Sequence, residues 1–217
     1  QVALFGAQLR PHAAAMLGFA GPVMRAGYKV RLFDLPGHGA SSGDYCSAPL
    51  TAHCLQSLAA DLGAPQLLIT HSFASLAGAF ALANSKQASN PLDKTALVTI
   101  AGLSHIEAET IRFGRAYGLS EEAVGLKLKI LEQHAGRPLG SLDAATQLAT
   151  CDQPILAIHA KDDDKVELSQ SFPASPHLPQ HAKRLILASG GHQKLLFMPS
   201  VIKAVSGFSA EILSADY

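Results

Sequence analysis

Short apolar segments recur along this chain, and each is bounded by Gly, Pro or polar residues. Within a segment the Val, Ile and Leu residues follow one another instead of alternating with polar residues, which is typical of strands buried on both faces. The sequence therefore predicts strands at Val2–Phe5, Tyr28–Asp34, Gln66–Thr70, Thr95–Ile100, Pro154–His159 and Lys183–Ala188.

Segments with a helical pattern separate these strands. They are Ala13–Ala26, Ala52–Leu62, Ser75–Asn84, a long region from Ser104 to Thr150, and Pro199–Leu213. Because strands and helices alternate, the sequence predicts an α/β fold in which a mostly parallel central sheet carries helices on both faces.

The composition favours a single domain spanning residues 1–217. A chain of 217 residues with 48% hydrophobic residues can bury a substantial core of its own. Lys plus Arg and Asp plus Glu both number 17, so no net charge favours nucleic acid or an anionic membrane surface as a partner. No stretch approaches the roughly 20 apolar residues that a membrane span requires.

The cysteines Cys46, Cys54 and Cys151 lack the spacing of metal ligands, and three cysteines do not make a disulfide framework. We therefore expect free or buried thiols in a reducing compartment. Since the sequence also opens without a basic and then apolar signal segment, we expect a cytoplasmic protein.

One predicted strand runs directly into a helix of small residues, with Ser72 at the junction. A serine on such a sharp turn exposes its hydroxyl above the edge of the sheet, and the next backbone N–H, that of Phe73, points to where an oxyanion would form. The alternative is that Ser72 only caps the helix that follows.

The segment Thr70-His71-Ser72-Phe73-Ala74 resembles the nucleophile elbow of the α/β-hydrolase superfamily, which usually reads G-x-S-x-G. Both glycines are replaced, by Thr70 and Ala74, and Thr70 is the bulkier change. The resemblance implies a serine hydrolase of the esterase and lipase type with Ser72 as its nucleophile.

The strand Pro154–His159 ends in an acidic loop. The segment from His159 to Asp163 resembles the superfamily's H-G-x-x-D, with Ala160 in place of the glycine, and this implies that Asp163 is the catalytic acid. Asp162 and Asp164 are adjacent candidates, and a solvated acidic turn is the alternative interpretation.

The last strand runs into Ser189-Gly190-Gly191-His192, which resembles the superfamily's Gly-His at the catalytic histidine. Ser72, the acid and His192 follow one another in the order that this fold uses. The resemblance implies that His192 is the general base, although a lone histidine in a loop is more often simply solvated.

Two further segments carry the resemblance. Phe5-Gly6-Ala7 is similar to the H-G-x segment after the first strand, which implies the backbone N–H of Ala7 as second oxyanion donor, with Gln8 as the neighbouring candidate. Residues 34–43 resemble the D-x-P-G-x-G-x-S loop, which shapes the fold near the site and is not catalytic.

The region 104–150 is longer than a crossover requires, and we expect it to form a small helical cap over a pocket. The alternative is that its helices only pack on the edge of the sheet. The superfamily's hairpin before the oxyanion strand is absent, and the chain opens on Gln1. We therefore expect either a fragment or a trimmed fold.

These features lead to the expectation of a carboxylic ester or thioester hydrolase that acts on a small-molecule substrate through an acyl-enzyme on Ser72. The chain has no Trp and 6% aromatic residues, which favours a small aliphatic substrate. A non-catalytic binding or sensing protein with the same fold is the alternative. No cofactor is expected. We expect no metal site either, because the other histidines lack ligand spacing: His12, His53, His105, His134, His177 and His181.

Overall fold

A computed structural model describes residues 2–7, 13–83, 90–149 and 151–215. Within these residues one six-stranded sheet has the order β2-β1-β3-β4-β5-β6, and every neighbouring pair of strands is parallel. The α/β fold with a parallel central sheet is thereby confirmed. The strands are β1 (Val2–Ala7), β2 (Lys29–Asp34), β3 (Leu67–His71), β4 (Ala96–Ile100), β5 (Ile155–Ala160) and β6 (Lys183–Leu187).

Helices cover both faces of the sheet, as the alternating pattern predicts. They are α1 (Leu17–Arg25), α2 (Ala48–Leu62), α3 (Phe73–Ala83), α4 (Ile106–Ala116), α5 (Glu121–Ala135), α6 (Ala144–Leu148) and α7 (Pro199–Ser214). Gln8, Asn84 and Thr150, on which sequence predictions fall, lie outside the described residues, as does His12. Among the described residues, none of the helices has the length and apolarity to cross a bilayer.

Two apolar clusters form the core, one on each side of the sheet. Successive residues of a strand point to opposite faces, so Leu67 and Ile69 of β3 join one cluster while Leu68 joins the other. The first cluster also takes in residues of α1 and α7, and the second takes in residues of α2, α3 and α6. Burial on both faces explains why β3, β4 and β5 are continuous apolar runs in the sequence.

Two helices begin earlier than predicted. Helix α2 begins at Ala48 rather than Ala52, because the Ser47 side chain caps it by accepting from the backbone N–H of Leu50, and Pro49 suits the first turn. Helix α3 begins at Phe73 rather than Ser75, so a single residue separates it from β3.

The loop after β2 is closed by Asp34. Its carboxylate accepts from the backbone N–H of Ala40 at 3.0 Å, and its carbonyl accepts from the Ser41 hydroxyl at 2.7 Å. Gly39 lies against this carboxylate with φ of 54°, where a Cβ atom would overlap Asp34. The loop thus has a structural role, in agreement with the sequence interpretation.

The start of the region 104–150 contacts a later part of the same region at Ser104 and Asp143. We call this contact the neck. Asp143 accepts from the Ser104 hydroxyl at 2.9 Å, and the backbone N–H of Ala144 donates to the Ser104 carbonyl at 3.1 Å. Helices α4 and α5 pack against each other beyond this neck, whereas α6 packs on α3. Phe113 of α4 and Tyr117, which directly follows this helix, stack on each other and remain exposed.

Candidate active site

Ser72 occupies the single-residue turn between β3 and α3. Its φ of 57° lies in the left-handed region, which residues other than glycine rarely adopt. The backbone N–H of Ser72 donates to the Ile100 carbonyl at 3.0 Å, and the Ser72 carbonyl accepts from the Ser75 N–H at 3.0 Å. The turn therefore has the strand, strained serine and helix that the sequence predicts for an elbow.

The elbow accommodates Thr70 in place of a glycine. The Thr70 hydroxyl donates to the Val98 carbonyl at 2.9 Å and lies 3.1 Å from the Ser75 hydroxyl. Its methyl group faces Gly78 of α3, where an added Cβ atom would be only 3.2 Å away. Because Gly78 has no side chain, strand and helix come together around the larger residue, and Ala74 is buried beside it.

Ser72, His192 and Asp163 form a continuous hydrogen-bonded chain. His192 Nε2 lies 3.0 Å from Ser72 Oγ, and His192 Nδ1 lies 2.9 Å from Asp163 Oδ2. The three residues are 5–7% exposed, so the whole hydrogen-bonded chain is buried. A histidine between a carboxylate and a serine hydroxyl can take the hydroxyl proton while the carboxylate orients the ring.

The acid loop holds the second carboxylate oxygen of Asp163. Its Oδ1 accepts from the backbone N–H groups of Lys165 at 2.8 Å and Val166 at 2.9 Å. Burial alone would raise the pKa of Asp163, but the hydrogen bonds from His192 and Val166 outweigh it and lower that pKa. Asp163 is therefore ionised at neutral pH and directed at His192.

The two neighbouring aspartates point elsewhere. Asp162 accepts from the backbone N–H of Gly191 at 2.8 Å, and the Gly191 and Gly190 N–H groups lower the pKa of its carboxyl. Asp164 is exposed and pairs with Lys165 at 3.0 Å. Of the three carboxylates, only that of Asp163 hydrogen-bonds to His192 among the described residues.

Two glycines allow the loop before His192 to fold back toward Ser72. Gly190 and Gly191 have φ of 152° and 55°. A Cβ atom on Gly190 would lie 2.8 Å from the sulfur of Met198, so a side chain there would push the loop away from its place. The loop therefore depends on the Gly-Gly pair that precedes the histidine.

The expected oxyanion donors lie beside the elbow. Phe73 is the first residue of α3, and the N–H groups of a helix's first turn have no acceptor within the helix. Ala7 is the last residue of β1 and stands in register with His71 of β3. The backbone positions of Phe73 and Ala7 thus flank Ser72, whereas the alternative donor, Gln8, lies outside the described residues.

Two buried histidines adjoin the site, and the sequence indicated a role for neither. His71 lies against the His192 ring, with centroids 4.8 Å apart, and His159 Nε2 lies 3.6 Å from Asp163 Oδ2. His71 precedes the predicted nucleophile and His159 ends a predicted strand, which was the available signal. The described part of the chain contains no cluster of three or more His, Cys, Asp or Glu suited to a metal ion.

Comparison with solved structures confirms the α/β-hydrolase fold and the resemblance to that superfamily at the level of the fold. Alpha/beta hydrolase domain-containing protein 10 from mouse is similar with a TM-score of 0.69 at 15% identity, covering 98% of this chain and 89% of that chain.

Two proteins named as a lipase and an esterase show the same likeness. A monoacylglycerol lipase from Paleococcus ferrophilus has a TM-score of 0.72 at 16% identity, covering 97% of this chain and 94% of that chain. The esterase domain of a Rhodothermus marinus protein has a TM-score of 0.67 at 16% identity, covering 97% and 86%. No protein-family model matches the chain, and no curated protein matches it in sequence.

Proposed function

We propose that this protein is a serine hydrolase that cleaves a carboxylic ester or thioester of a small, aliphatic substrate. The observation that carries the proposal is the chain from Ser72 Oγ through His192 to Asp163, with contacts of 3.0 and 2.9 Å, built on a serine in the left-handed region. Several proteins with this fold are named as esterases or lipases, which supports the ester class.

In the first half of the reaction, Ser72 Oγ attacks the carbonyl carbon of the substrate while His192 Nε2 takes the hydroxyl proton. The carbonyl oxygen becomes an oxyanion, which the backbone N–H groups of Phe73 and Ala7 stabilise. When the intermediate collapses, the bond to the leaving alcohol or thiol breaks, His192 returns the proton to that group, and the acyl group stays on Ser72.

In the second half, water replaces the alcohol. His192 Nε2 takes a proton from the water as its oxygen attacks the acyl carbon, and the proton then returns to Ser72 Oγ as the carboxylic acid leaves. Asp163 stays ionised throughout, holds the proton of the neutral ring on Nδ1 and stabilises the imidazolium form of His192.

We also propose that α4 and α5 form the cap of this single domain. The region begins at Ser104, shortly after Ile100, whose carbonyl accepts from the Ser72 N–H. Arg112 of α4 is held by Glu109 and donates to the Lys165 carbonyl in the acid loop. These two contacts support a location of the cap beside the proposed nucleophile and acid.

The alternative of a non-catalytic binding or sensing protein has its best support in three replaced glycines, at Thr70, Ala74 and Ala160. Thr70 is accommodated opposite Gly78, and Ser72 keeps its 3.0 Å contact with His192. This observation favours the hydrolase.

Labelling with a fluorophosphonate probe, together with hydrolysis of p-nitrophenyl esters of increasing chain length, tests the proposal. We expect covalent labelling of the wild type, preference for short acyl chains, and loss of turnover by at least about 10⁴-fold in Ser72→Ala. Ser57→Ala, an exposed serine of α2, is the matched control and should keep wild-type activity. A wild type that neither labels nor hydrolyses esters would identify the fold as a binding module.

A further inference from the structure

Two histidines are buried beside the proposed triad and take no part in the proton transfer described above. His71 ends β3 and is 1% exposed, and His159 lies in β5 and is fully buried. An imidazole ring carries two polar nitrogen atoms. Burying them is unfavourable unless they form hydrogen bonds.

Each of these rings meets a backbone carbonyl of a different catalytic loop. His71 Nε2 lies 3.1 Å from the carbonyl oxygen of His192, and His159 Nε2 lies 2.9 Å from the carbonyl oxygen of Val166. Because a carbonyl oxygen only accepts, the proton of both rings is on Nε2. Within the described residues, Nδ1 of both rings has no hydrogen-bond partner, so nothing there holds a second proton.

The two carbonyls belong to residues that set the geometry of the triad. One is the carbonyl of His192 itself. The other belongs to Val166, whose N–H donates to Asp163 Oδ1 at 2.9 Å. A hydrogen bond to each carbonyl therefore restrains the base at one end of the Asp163–His192 contact and the acid at the other.

Both rings must stay uncharged to serve in this way. The His71 ring centroid is 4.8 Å from that of His192, so a charge on His71 would oppose the imidazolium that forms on His192. His159 Nε2 is 3.6 Å from Asp163 Oδ2, so a charge on His159 would compete with His192 for the carboxylate.

We propose, on the basis of the proposed function, that His71 and His159 are positioning residues that hold the His192 loop and the acid loop by donating from Nε2 as neutral rings. Strands β3 and β5 supply these donors, so the rigid sheet sets the distances between loop residues that perform the chemistry.

Steady-state kinetics on p-nitrophenyl acetate tests the role of each donor. His71→Leu and His159→Leu remove the donor, and we expect kcat to fall by about 10- to 100-fold while KM changes less than about twofold. His71→Gln and His159→Gln keep an N–H near the position of Nε2 and should recover most of the loss. Far-UV circular dichroism ensures that folded variants are compared.

The matched control is His181→Leu. His181 Nε2 also lies near a backbone carbonyl oxygen, that of Gln153 at 3.1 Å. Gln153 precedes β5, so this contact lies at the amino-terminal ends of the strands, away from the proposed triad. This variant should keep wild-type kcat. Wild-type kcat in folded His71→Leu and His159→Leu, or Gln variants no better than the Leu variants, would overturn the proposal.

Imidazole nitrogen NMR of the wild type keeps the proposal testable if the Leu variants fail to fold. We expect His71 and His159 as neutral Nε2–H tautomers at pH near 7, and an Nδ1–H tautomer or a charged ring at either position would refute it. NMR determines the tautomers without substrate, so its result does not depend on the proposed function. The proposed function fails separately, if the wild type neither labels nor hydrolyses esters.

Discussion

Ser72 adopts a backbone conformation that suits glycine better than serine. With φ of 57° its Cβ atom crowds the following carbonyl, which costs roughly 1–2 kcal/mol in the left-handed region. We expect Ser72→Gly to be more stable than Ser72→Ala by up to about 1 kcal/mol. Glycine relieves the strain of the left-handed conformation, and this gain exceeds the loss that comes from its larger conformational entropy in the unfolded chain. Urea denaturation of both variants measures the difference.

Both Ser72 variants should be inactive, so the comparison separates strain from chemistry. Gly63 follows α2 with φ of 90° and an open surrounding, and Gly63→Ala is a control for the cost of a side chain at positive φ alone. Equal stability of the two Ser72 variants would mean that the elbow relaxes when the serine is removed.

The acidic loop contains three adjacent aspartates, and substituting each in turn tests which carboxylate orients His192. We expect Asp163→Asn to lower kcat by about 10⁴-fold, because an amide can present its N–H₂ to His192 and favour the wrong tautomer. Asp164→Asn removes only an exposed pair with Lys165 and should leave kcat unchanged. Steady-state hydrolysis of p-nitrophenyl acetate measures kcat for each variant.

Asp162→Asn should have a small effect, since its amide oxygen can still accept from the Gly191 N–H. If Asp162→Asn proves as damaging as Asp163→Asn, the loop before His192 depends on charge rather than on a single acceptor. If Asp164→Asn is the sensitive variant, the register of the acidic loop in our proposal is wrong.

At the scale of residues, the sequence predicted the members of the site better than its surroundings. Ser72 and Asp163 follow the ends of predicted strands, and His192 follows two glycines, which local patterns report. The hydrogen bonds of His71 and His159 to loop carbonyls depend on packing between β3, β5 and the loops, which a single sequence does not show. The contact between Thr70 and Gly78, which lacks a side chain there, also depends on tertiary packing.

Asp143 caps the first turn of helix α6 and also takes part in the neck between Ser104 and Asp143. Asp143 accepts from the backbone N–H groups of Ala145 and Thr146, and from the Ser104 hydroxyl. We expect Asp143→Ala to lower the free energy of unfolding by about 1–2 kcal/mol, because it removes a helix cap and leaves the buried Ser104 hydroxyl without its acceptor. Urea denaturation near neutral pH gives this value.

Asp143→Asn is the conservative comparison, since an amide oxygen still caps the helix and accepts from Ser104. Ser120→Ala removes the cap of α5 without touching the neck, and it should cost less. If Asp143→Ala and Ser120→Ala lose the same stability, Asp143 acts only as a helix cap and the neck does not contribute.

At the scale of elements, the sequence predicted the strands to within a few residues and the long region 104–150 only as helical. Strands β3, β4 and β5 are buried on both faces, which leaves a continuous apolar run in the sequence, whereas the edge strands β2 and β6 are half-buried or exposed. Helices α4 and α5 expose apolar as well as polar residues, among them Phe113, Leu126 and Ile130, and the bounds of α5 depend on caps at Ser120 and Gly136. The packing of α6 on α3 is a tertiary contact that periodicity does not report.

The buried histidines make the stability of the whole molecule depend on pH. Burial, and then the neighbouring His192 ring, lower the pKa of His71 from 6.5 to about 4, against an opposing effect of Asp163. Between these two values the unfolded chain takes up a proton that the folded protein does not, so stability falls as the pH falls from 6.5 toward 4. Burial lowers the pKa of His159 as well, which acts in the same direction.

We therefore expect the wild type to lose about 2 kcal/mol of stability between pH 7 and pH 5 through His71 alone. His71→Gln should lose correspondingly less over the same interval, whatever its stability at pH 7. His181→Gln replaces an exposed histidine and should follow the wild type. An identical pH dependence of wild type and His71→Gln in urea denaturation would show that folding does not lower the pKa of His71.

The contact between Ser72 and His192 joins residues that are 120 positions apart in the chain. A ribosome adds about 5–20 residues per second, so the serine leaves it roughly 6–24 s before the histidine does. During synthesis the elbow exists without the imidazole that would make its hydroxyl nucleophilic. Every strand pair in this parallel sheet also requires a crossover, which delays the closing contacts further. On the proposed function, the nascent chain therefore has no activated serine until the loop after β6 has brought His192 to Ser72.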